Sequence, residues 1–242
     1  MRVLAVIPAR YASTRFPGKP LVEISGKPMV QHVYEHCRAA SGVDHVVVAT
    51  EDERVVRACR KFGGDVELTS ASHFSGTDRV AEVAARHPEF DAILNVQGDE
   101  PAMESDTISA VAGALTDARV QISSAMTVFG SHENPGDPNA VKVAANVNGD
   151  ALYFSRAAIP CYRDIHAPEQ TYYRHLGIYG FRRSVLLAVT QLPPSPLERA
   201  ESLEQLRWME AGYGIRCVIV HSRASGIDTP QDLESMLKSH RA

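Results

Sequence analysis

Apolar residues in this chain fall into short unbroken runs, separated by longer stretches where they recur at helical spacing. Residues 3–7 form the first run, which Pro8 ends. A short apolar run without alternation is the pattern of a strand buried on both faces. Pro28 then predicts the first turn of a helix, with Met29, Val30, Val33, Tyr34 and Cys37 on one face. Residues 45–49 predict a second strand and 52–62 a second helix, stopped by Gly63 and Gly64. A strand at 65–68, a helix at 77–86 with Val80, Val83 and Ala84 inward, a strand at 92–96 and a helix at 105–115 continue the series. This alternation predicts a parallel sheet with helices on both faces.

The pattern changes after Gln121. Runs at 122–128, 140–147, 151–154 and 176–181 read as strands without regular crossover helices, and Asn148-Gly149-Asp150 is a hairpin signal between two of them. A helix at 202–211, a strand at 215–220 and a helix at 230–238, with Leu233, Met236 and Leu237 inward, complete the chain. The expected class is α/β: a Rossmann-like three-layer α/β/α arrangement with a mostly parallel sheet. One domain is expected over residues 1–242, with a mixed or antiparallel insertion at about 122–182.

Composition narrows the function classes. The 242 residues carry 25 Lys and Arg against 29 Asp and Glu, a net charge of −4, with the signs mixed along the chain. No basic stripe is present of the kind that releases counterions from nucleic acid, so no nucleic-acid partner is expected. Cys37, Cys59, Cys161 and Cys217 are isolated, with no Cys-x-x-Cys. Neither a zinc site nor a disulfide framework is indicated, and reduced thiols suit a cytoplasmic location. The opening apolar run is too short for a membrane span and lacks a signal-peptide layout, so no membrane association is expected.

The candidate chemistry begins where the first strand ends. Arg10, Arg15 and Lys19 follow it among Ala, Ser, Thr, Gly and Pro, and no acid occurs until Glu23. Two guanidinium forks and a movable ammonium on one loop can receive several phosphates, with backbone N–H groups from Ala9 onward as further donors. Neither the Gly-x-Gly-x-x-Gly of dinucleotide folds nor the P-loop pattern is present, which argues against a nicotinamide oxidoreductase. Asp99 lies just past the carboxyl end of an apolar strand, where open α/β sheets bind ligands, and a carboxylate there can hold Mg²⁺. Gly76 permits close backbone approach, as a base edge against main chain needs; Thr77 alternatively serves as a plain helix cap. Gln97, at the same strand end as Asp99, can bond either a ribose or a sugar. His175 and Tyr179, four apart on a strand, share one face. Asp228 is either a metal ligand or a lead-in to a helix capped at Thr229.

The run Pro-Ala-Arg-x-x-Ser-Thr-Arg-Phe-Pro-Gly-Lys-Pro-Leu, from Pro8 to Leu21, resembles the nucleotide loop of the 3-deoxy-manno-octulosonate (Kdo) cytidylyltransferases, within the nucleotide-diphospho-sugar transferase fold family. The resemblance continues through His-Phe-Ser-Gly-Thr-Asp-Arg-Val from His73, Asn-Val-Gln-Gly-Asp-Glu-Pro from Asn95, Pro-Asn-Ala-Val-Lys from Pro138 and Ala-Leu-Tyr-Phe-Ser-Arg from Ala151. It resumes at Arg174-His-Leu-Gly-Ile-Tyr-Gly, Glu201-Ser-Leu-Glu-Gln-Leu-Arg and Gly226-Ile-Asp-Thr-Pro, and so spans nearly the whole chain in order. It implies nucleotide contacts from Pro8, Ala9, Arg10, Arg15, Lys19, Ser75, Gly76 and Gln97. It implies sugar contacts from Arg79, Gln97, Arg156, His175, Tyr179, Glu204 and Gln205, with Arg79 and Arg156 as the cations for the sugar carboxylate. Magnesium falls to Asp99 and Asp228, Arg10, Arg15, Lys19 and Asp99 are the catalytic set, and a homodimer is implied, its interface in the insertion. The expected reaction takes CTP and Kdo to CMP-Kdo and pyrophosphate, activating Kdo for lipopolysaccharide synthesis. The alternatives are a cytidylyltransferase for a neighbouring acid, such as 8-amino-Kdo or a nonulosonic acid, and a non-catalytic nucleotide-binding regulatory module.

Overall fold

The computed structural model describes residues 1–12, 16–164 and 170–222. The first strand, β1 (Val3–Pro8), is buried at every residue. A 3-10 turn (Lys19–Leu21) and a small hairpin of β2 (Glu23–Ile24) and β3 (Lys27–Pro28) lead into α1 (Met29–Ala39). Pro28 therefore precedes the helix rather than opening its first turn, and the five apolar residues expected on the inner face are all buried. Then come β4 (His45–Thr50), α2 (Glu53–Lys61), β5 (Val66–Leu68), α3 (Gly76–Arg86), β6 (Ala92–Asn95) and α4 (Ser105–Ala114). The second half contains β7 (Ile122–Val128), β8 (Lys142–Ala145), β9 (Ala151–Ser155), β10 (Tyr173–Arg182), α5 (Arg183–Val189), α6 (Pro196–Glu201), α7 (Gln205–Glu210) and β11 (Ile215–Ile219).

Among the described residues, nine strands form one sheet whose main path runs β11-β7-β10-β6-β1-β4-β5. β1 pairs in parallel with β4 on one side and β6 on the other, and β4 with β5. β10 runs antiparallel between β6 and β7, while β11 is parallel to β7. The mixed character expected in the second half thus comes from one reversed strand inside the main sheet. β8 and β9 leave it as a hairpin whose turn passes through Gly149, at φ +82°.

The side-chain alternation of β1 divides the core. Ala5 and Ile7 pack with residues of α1, α2 and α4, such as Val33, Val55 and Ile108. Leu4 and Val6 face the other layer, with Val80 and Val83 of α3, Leu186 of α5 and Trp208 of α7. This is the three-layer α/β/α class.

Three expectations need correction. The helix predicted over 202–211 shortens to α7, because Ser202, at φ +51°, closes a separate helix α6 that Pro196 and a Ser195–Glu198 capping box start. The strand predicted at 140–147 shrinks to β8, since Asn146 already accepts the Gly149 N–H of the hairpin turn. The strand predicted at 176–181 begins at Tyr173 and carries a bulge between Leu176 and Tyr179. Helices α5 and α6 have no counterpart among the expected elements. The helix expected at 230–238 lies outside the described residues.

Gly180 of β10 has no room for a side chain: a Cβ there would collide with Ser123 Oγ and lie 3.0 Å from both Leu94 Cδ2 and Leu115 Cδ1. Gly180→Ala is expected to destabilise the fold by about 1–3 kcal/mol through overpacking. A lowered urea midpoint at unchanged slope would show it.

Candidate active site

The ladder of β1 continues past its end, where the Ala9 N–H donates to Ala49 O at 2.9 Å. The next loop is closed at a neck. Tyr11 N–H donates to Glu51 Oε1 at 3.0 Å, and Gly18 N–H donates to Tyr11 O at 3.0 Å. Gly18 adopts φ +73°, and a Cβ there would sit 3.2 Å from the Tyr11 hydroxyl. Lys19 follows at once, and its largely buried ammonium meets Asp99 Oδ2 at 2.7 Å. Arg10 Nη2 donates to His73 O at 2.7 Å, across from the α3 side. Arg15 lies outside the described residues.

Helix α3 starts against this loop. Ser75, not Thr77, is its cap: Ser75 Oγ accepts from Asp78 N–H and Asp78 Oδ2 accepts from Ser75 N–H, a full capping box. Thr77 donates its hydroxyl to Glu204 Oε2 instead. A Cβ on Gly76 would lie 3.4 Å from Pro8 Cγ, so the helix start is packed onto the end of β1.

The segment after β6 approaches β1 more closely still. A Cβ on Gly98 would stand 2.9 Å from the Pro8 carbonyl oxygen, so only glycine fits between Gln97 and Asp99. Gln97 Nε2 donates to Asn95 Oδ1 at 3.1 Å, and Asn95 Nδ2 donates to Thr77 Oγ1 at 3.4 Å. An ionised Glu204 can only accept, so Thr77 must donate to it and receive from Asn95. The sequence of donors then leaves Gln97 Oε1 as the end that accepts. Burial raises the pKa of Glu204, while the Thr77 hydroxyl and the Arg207 guanidinium oppose that shift.

His175 and Tyr179 do share a face of β10 despite the bulge, with ring centroids 5.4 Å apart. His175 Nε2 is 2.8 Å from Ser124 Oγ, and Ser124 donates to Ile178 O at 2.7 Å. The hydroxyl proton is thus engaged, and the imidazole donates from Nε2. Burial lowers the His175 pKa to about 3 and raises that of the Tyr179 phenol, the latter aided by nearby Glu204. Gln205 is buried at the start of α7 beside Glu204.

The two cations expected at the sugar carboxylate both hold partners within this chain. Arg79 is 1% exposed; its Nη2 is 3.0 Å from Glu51 Oε2 and its Nη1 donates to Thr69 Oγ1. Arg156 donates from its guanidinium to the carbonyls of Pro138, Glu201 and Ser202, the last two closing the end of α6. Beneath it, buried Lys142 gives its ammonium protons to Asp137 O, Ala140 O and Arg156 O. Glu51, Asn95, Gly98 and Lys142 were not singled out in sequence. Only the Ser75-x-x-Asp78 spacing offered a local signal for what the structure shows.

Comparison with known proteins decides the family. The cytidylyltransferase profile matches residues 4–217. The chain belongs to the cytidylyltransferase family. A 3-deoxy-manno-octulosonate cytidylyltransferase of Geobacter metallireducens is 49% identical over 98% of this chain and 97% of its own. The protein of the same name in Myxococcus xanthus is 46% identical over 100% of this chain and 97% of its own. The solved structure of CMP:2-keto-3-deoxy-manno-octonic acid synthetase complexed with CTP superposes with a TM-score of 0.94 at 43% identity, covering 100% and 99% of the two chains. A nucleotidyltransferase fold with Lys19, Arg10 and Asp99 at one sheet edge is therefore an enzyme of this family.

Among the described residues no group of three or more His, Cys, Asp or Glu could hold a metal ion. Asp99, with its side chain 41% exposed, offers a single hard carboxylate. That donor set fits Mg²⁺, which commonly takes one or two carboxylates and completes its shell from phosphates and water. Asp228 lies outside the described residues.

Two outcomes are expected. Gly98→Ala, by pressing on the Pro8 carbonyl, should displace Gln97 and Asp99 and lower kcat/KM about tenfold or more; circular dichroism would check that the fold is retained. His175 ordinarily titrates at 6.5 and in the fold at about 3. The unfolded chain therefore takes up the proton first, so this contribution to stability is full above pH 6.5 and is lost as pH falls toward 3. The urea midpoint should fall between pH 7 and pH 5, and His175→Gln should lessen that fall.

Proposed function

We propose that this chain transfers a cytidylyl group from CTP to Kdo, giving CMP-Kdo and pyrophosphate, and so activates Kdo for lipopolysaccharide synthesis. The observation that carries this reading is the Lys19–Asp99 contact at 2.7 Å, at the mouth of the β1 loop, in a chain that superposes end to end on a CTP-bound synthetase. The anomeric hydroxyl of the sugar attacks the α-phosphorus. The bond to the β-phosphate oxygen breaks, pyrophosphate departs and the hydroxyl proton is released. Arg10 and Lys19 stabilise charge as it gathers on the departing pyrophosphate, with Arg15 assigned the same task. The α3 N-terminus at Ser75 and Gly76 adds its positive dipole end. Gln97 Oε1 accepts from a substrate hydroxyl or amine. His175, with a pKa of about 3, is too weak a base to remove the proton, which favours an orienting role for it and for Tyr179. Glu204 and Gln205 complete the sugar side.

Asp99 and Asp228 are the residues assigned to Mg²⁺, which would neutralise phosphate charge and make the attacking hydroxyl more acidic when bound. A homodimer fits the exposed apolar side chains of Val128, Val147 and Leu152 on β7 and the β8–β9 hairpin. No described helix is long and apolar enough to cross a membrane. The free thiols of Cys37, Cys59, Cys161 and Cys217 support a reducing, cytoplasmic location.

Pyrophosphate release, measured with four nucleoside triphosphates against Kdo, 8-amino-Kdo and sialic acid, with and without Mg²⁺, tests the reading. Activity only with CTP, Kdo and Mg²⁺ is expected, and preference for another acid would overturn the acceptor. Lys19→Ala should lower kcat about 100-fold or more, the scale of losing one charge-stabilising donor, with little change in melting temperature.

A further inference from the structure

The residue expected to meet the sugar carboxylate lies instead under the nucleotide loop. Arg79 is buried to 1% exposure and spans the ends of two strands. It reaches Thr69, just past β5, and Glu51, just past β4. Glu51 divides its two oxygens: Oε2 faces Arg79 at 3.0 Å and Oε1 accepts from Tyr11 N–H at 3.0 Å. Tyr11 is the residue at which the β1 loop closes, its carbonyl accepting from Gly18 N–H. Its ring is also covered, by the Arg54 guanidinium 3.4 Å from the ring centre.

Charge explains why two ions are used for one hydrogen bond. A carboxylate is a stronger acceptor for a backbone N–H than a neutral group. Left alone, however, it would stand beside the site for a triphosphate and repel it. A buried charge also needs a partner to be tolerated. Arg79 supplies that partner from below, on the side away from solvent. Burial pushes the Arg79 pKa down, and the Glu51 carboxylate opposes that shift.

We propose that Glu51 and Arg79 are positioning residues for nucleotide binding: Glu51 clamps the neck of the phosphate loop through Tyr11 N–H, and Arg79 neutralises Glu51 without touching the sugar. This rests on the reading that the β1 loop receives CTP. Two double variants separate the clamp from the charge pair. Glu51→Gln with Arg79→Met removes both charges and keeps an acceptor for Tyr11 N–H. Glu51→Met with Arg79→Met removes both charges and the acceptor.

Calorimetric affinity for CTP and steady-state KM for Kdo are the readouts. The Met/Met protein is expected to bind CTP about tenfold more weakly than the Gln/Met protein, as for a lost buried hydrogen bond. The KM for Kdo should stay within about twofold of wild type in both. Equal CTP affinity in the two doubles would overturn the clamp. A large rise in the Kdo KM in both, with CTP affinity kept, would return Arg79 to the sugar. Wild-type protein that binds no CTP would overturn the functional reading itself, and the proposal with it. If neither double folds, amide hydrogen exchange on the wild type decides. A protected Tyr11 N–H without nucleotide supports the clamp, and exchange at the rate of an open loop overturns it.

Discussion

The parallel pairing of β1 with β4 and β6 is the constraint on which the site depends. Because the three strands run the same way, their carboxyl ends emerge at one edge, and the chain after each one must turn there. The ladder extends just beyond the strands, through Ala9 N–H to Ala49 O and Val96 N–H to Val6 O. The first residues of the loops are thereby held as firmly as the strands. That register brings the chain after β4 and after β6 to the end of β1, and a Cβ on Gly98 would stand 2.9 Å from the Pro8 carbonyl oxygen.

A second constraint is electrostatic. The edge gathers cations, and the folded chain has to hold them close together. Lys19 is set against Asp99, Arg79 against Glu51, and Arg207 against Glu198 and Glu204. Arg10 is set against the His73 carbonyl. The two lysine and arginine pairs nearest the loop differ in burial. Asp99 is 41% exposed, so its pair can open to substrate at modest cost, whereas Arg79 at 1% exposure is fixed. That difference separates a group suited to act on phosphates from one suited to hold the loop.

The first half of the fold was legible because its strands are buried on both faces and therefore appear as unbroken apolar runs. The second half was less so. β10 reads as a strand from its apolar residues, but nothing local says that it runs backward between β6 and β7 or that it bulges before Tyr179. Leu203, Leu206 and Trp208 give the apolar spacing of α7, whereas α6 was hidden because it buries none of its residues. Within the site, Lys19, Asp99, His175 and Tyr179 could be nominated from position and residue type, and the structure brings them to one end of the sheet. The partner of Arg79 could not. Glu51 and Arg79 are brought together by strand order and helix placement, and a basic residue three places into a helix looks the same whether it faces a sugar or an acid beneath it. The cap at Ser75 was legible in principle, since the Ser-x-x-Asp spacing is a capping box; choosing Thr77 missed that the threonine hydroxyl was needed elsewhere.

That need joins the two halves of the site. Thr77 belongs to α3, which packs on the parallel strands; Glu204 belongs to the turn before α7, which packs through Trp208 on Tyr179 and Phe181 of the reversed strand. The carboxylate sets the direction of every hydrogen bond upstream of it: Thr77 donates, Asn95 donates to Thr77, and Gln97 donates to Asn95. Gln97, standing beside Asp99 and across from Gly76, therefore presents an acceptor whose orientation is decided by a residue from the far side of the site. The edge of the parallel strands and the helix packed on the reversed strand are then joined by one directed chain of side chains.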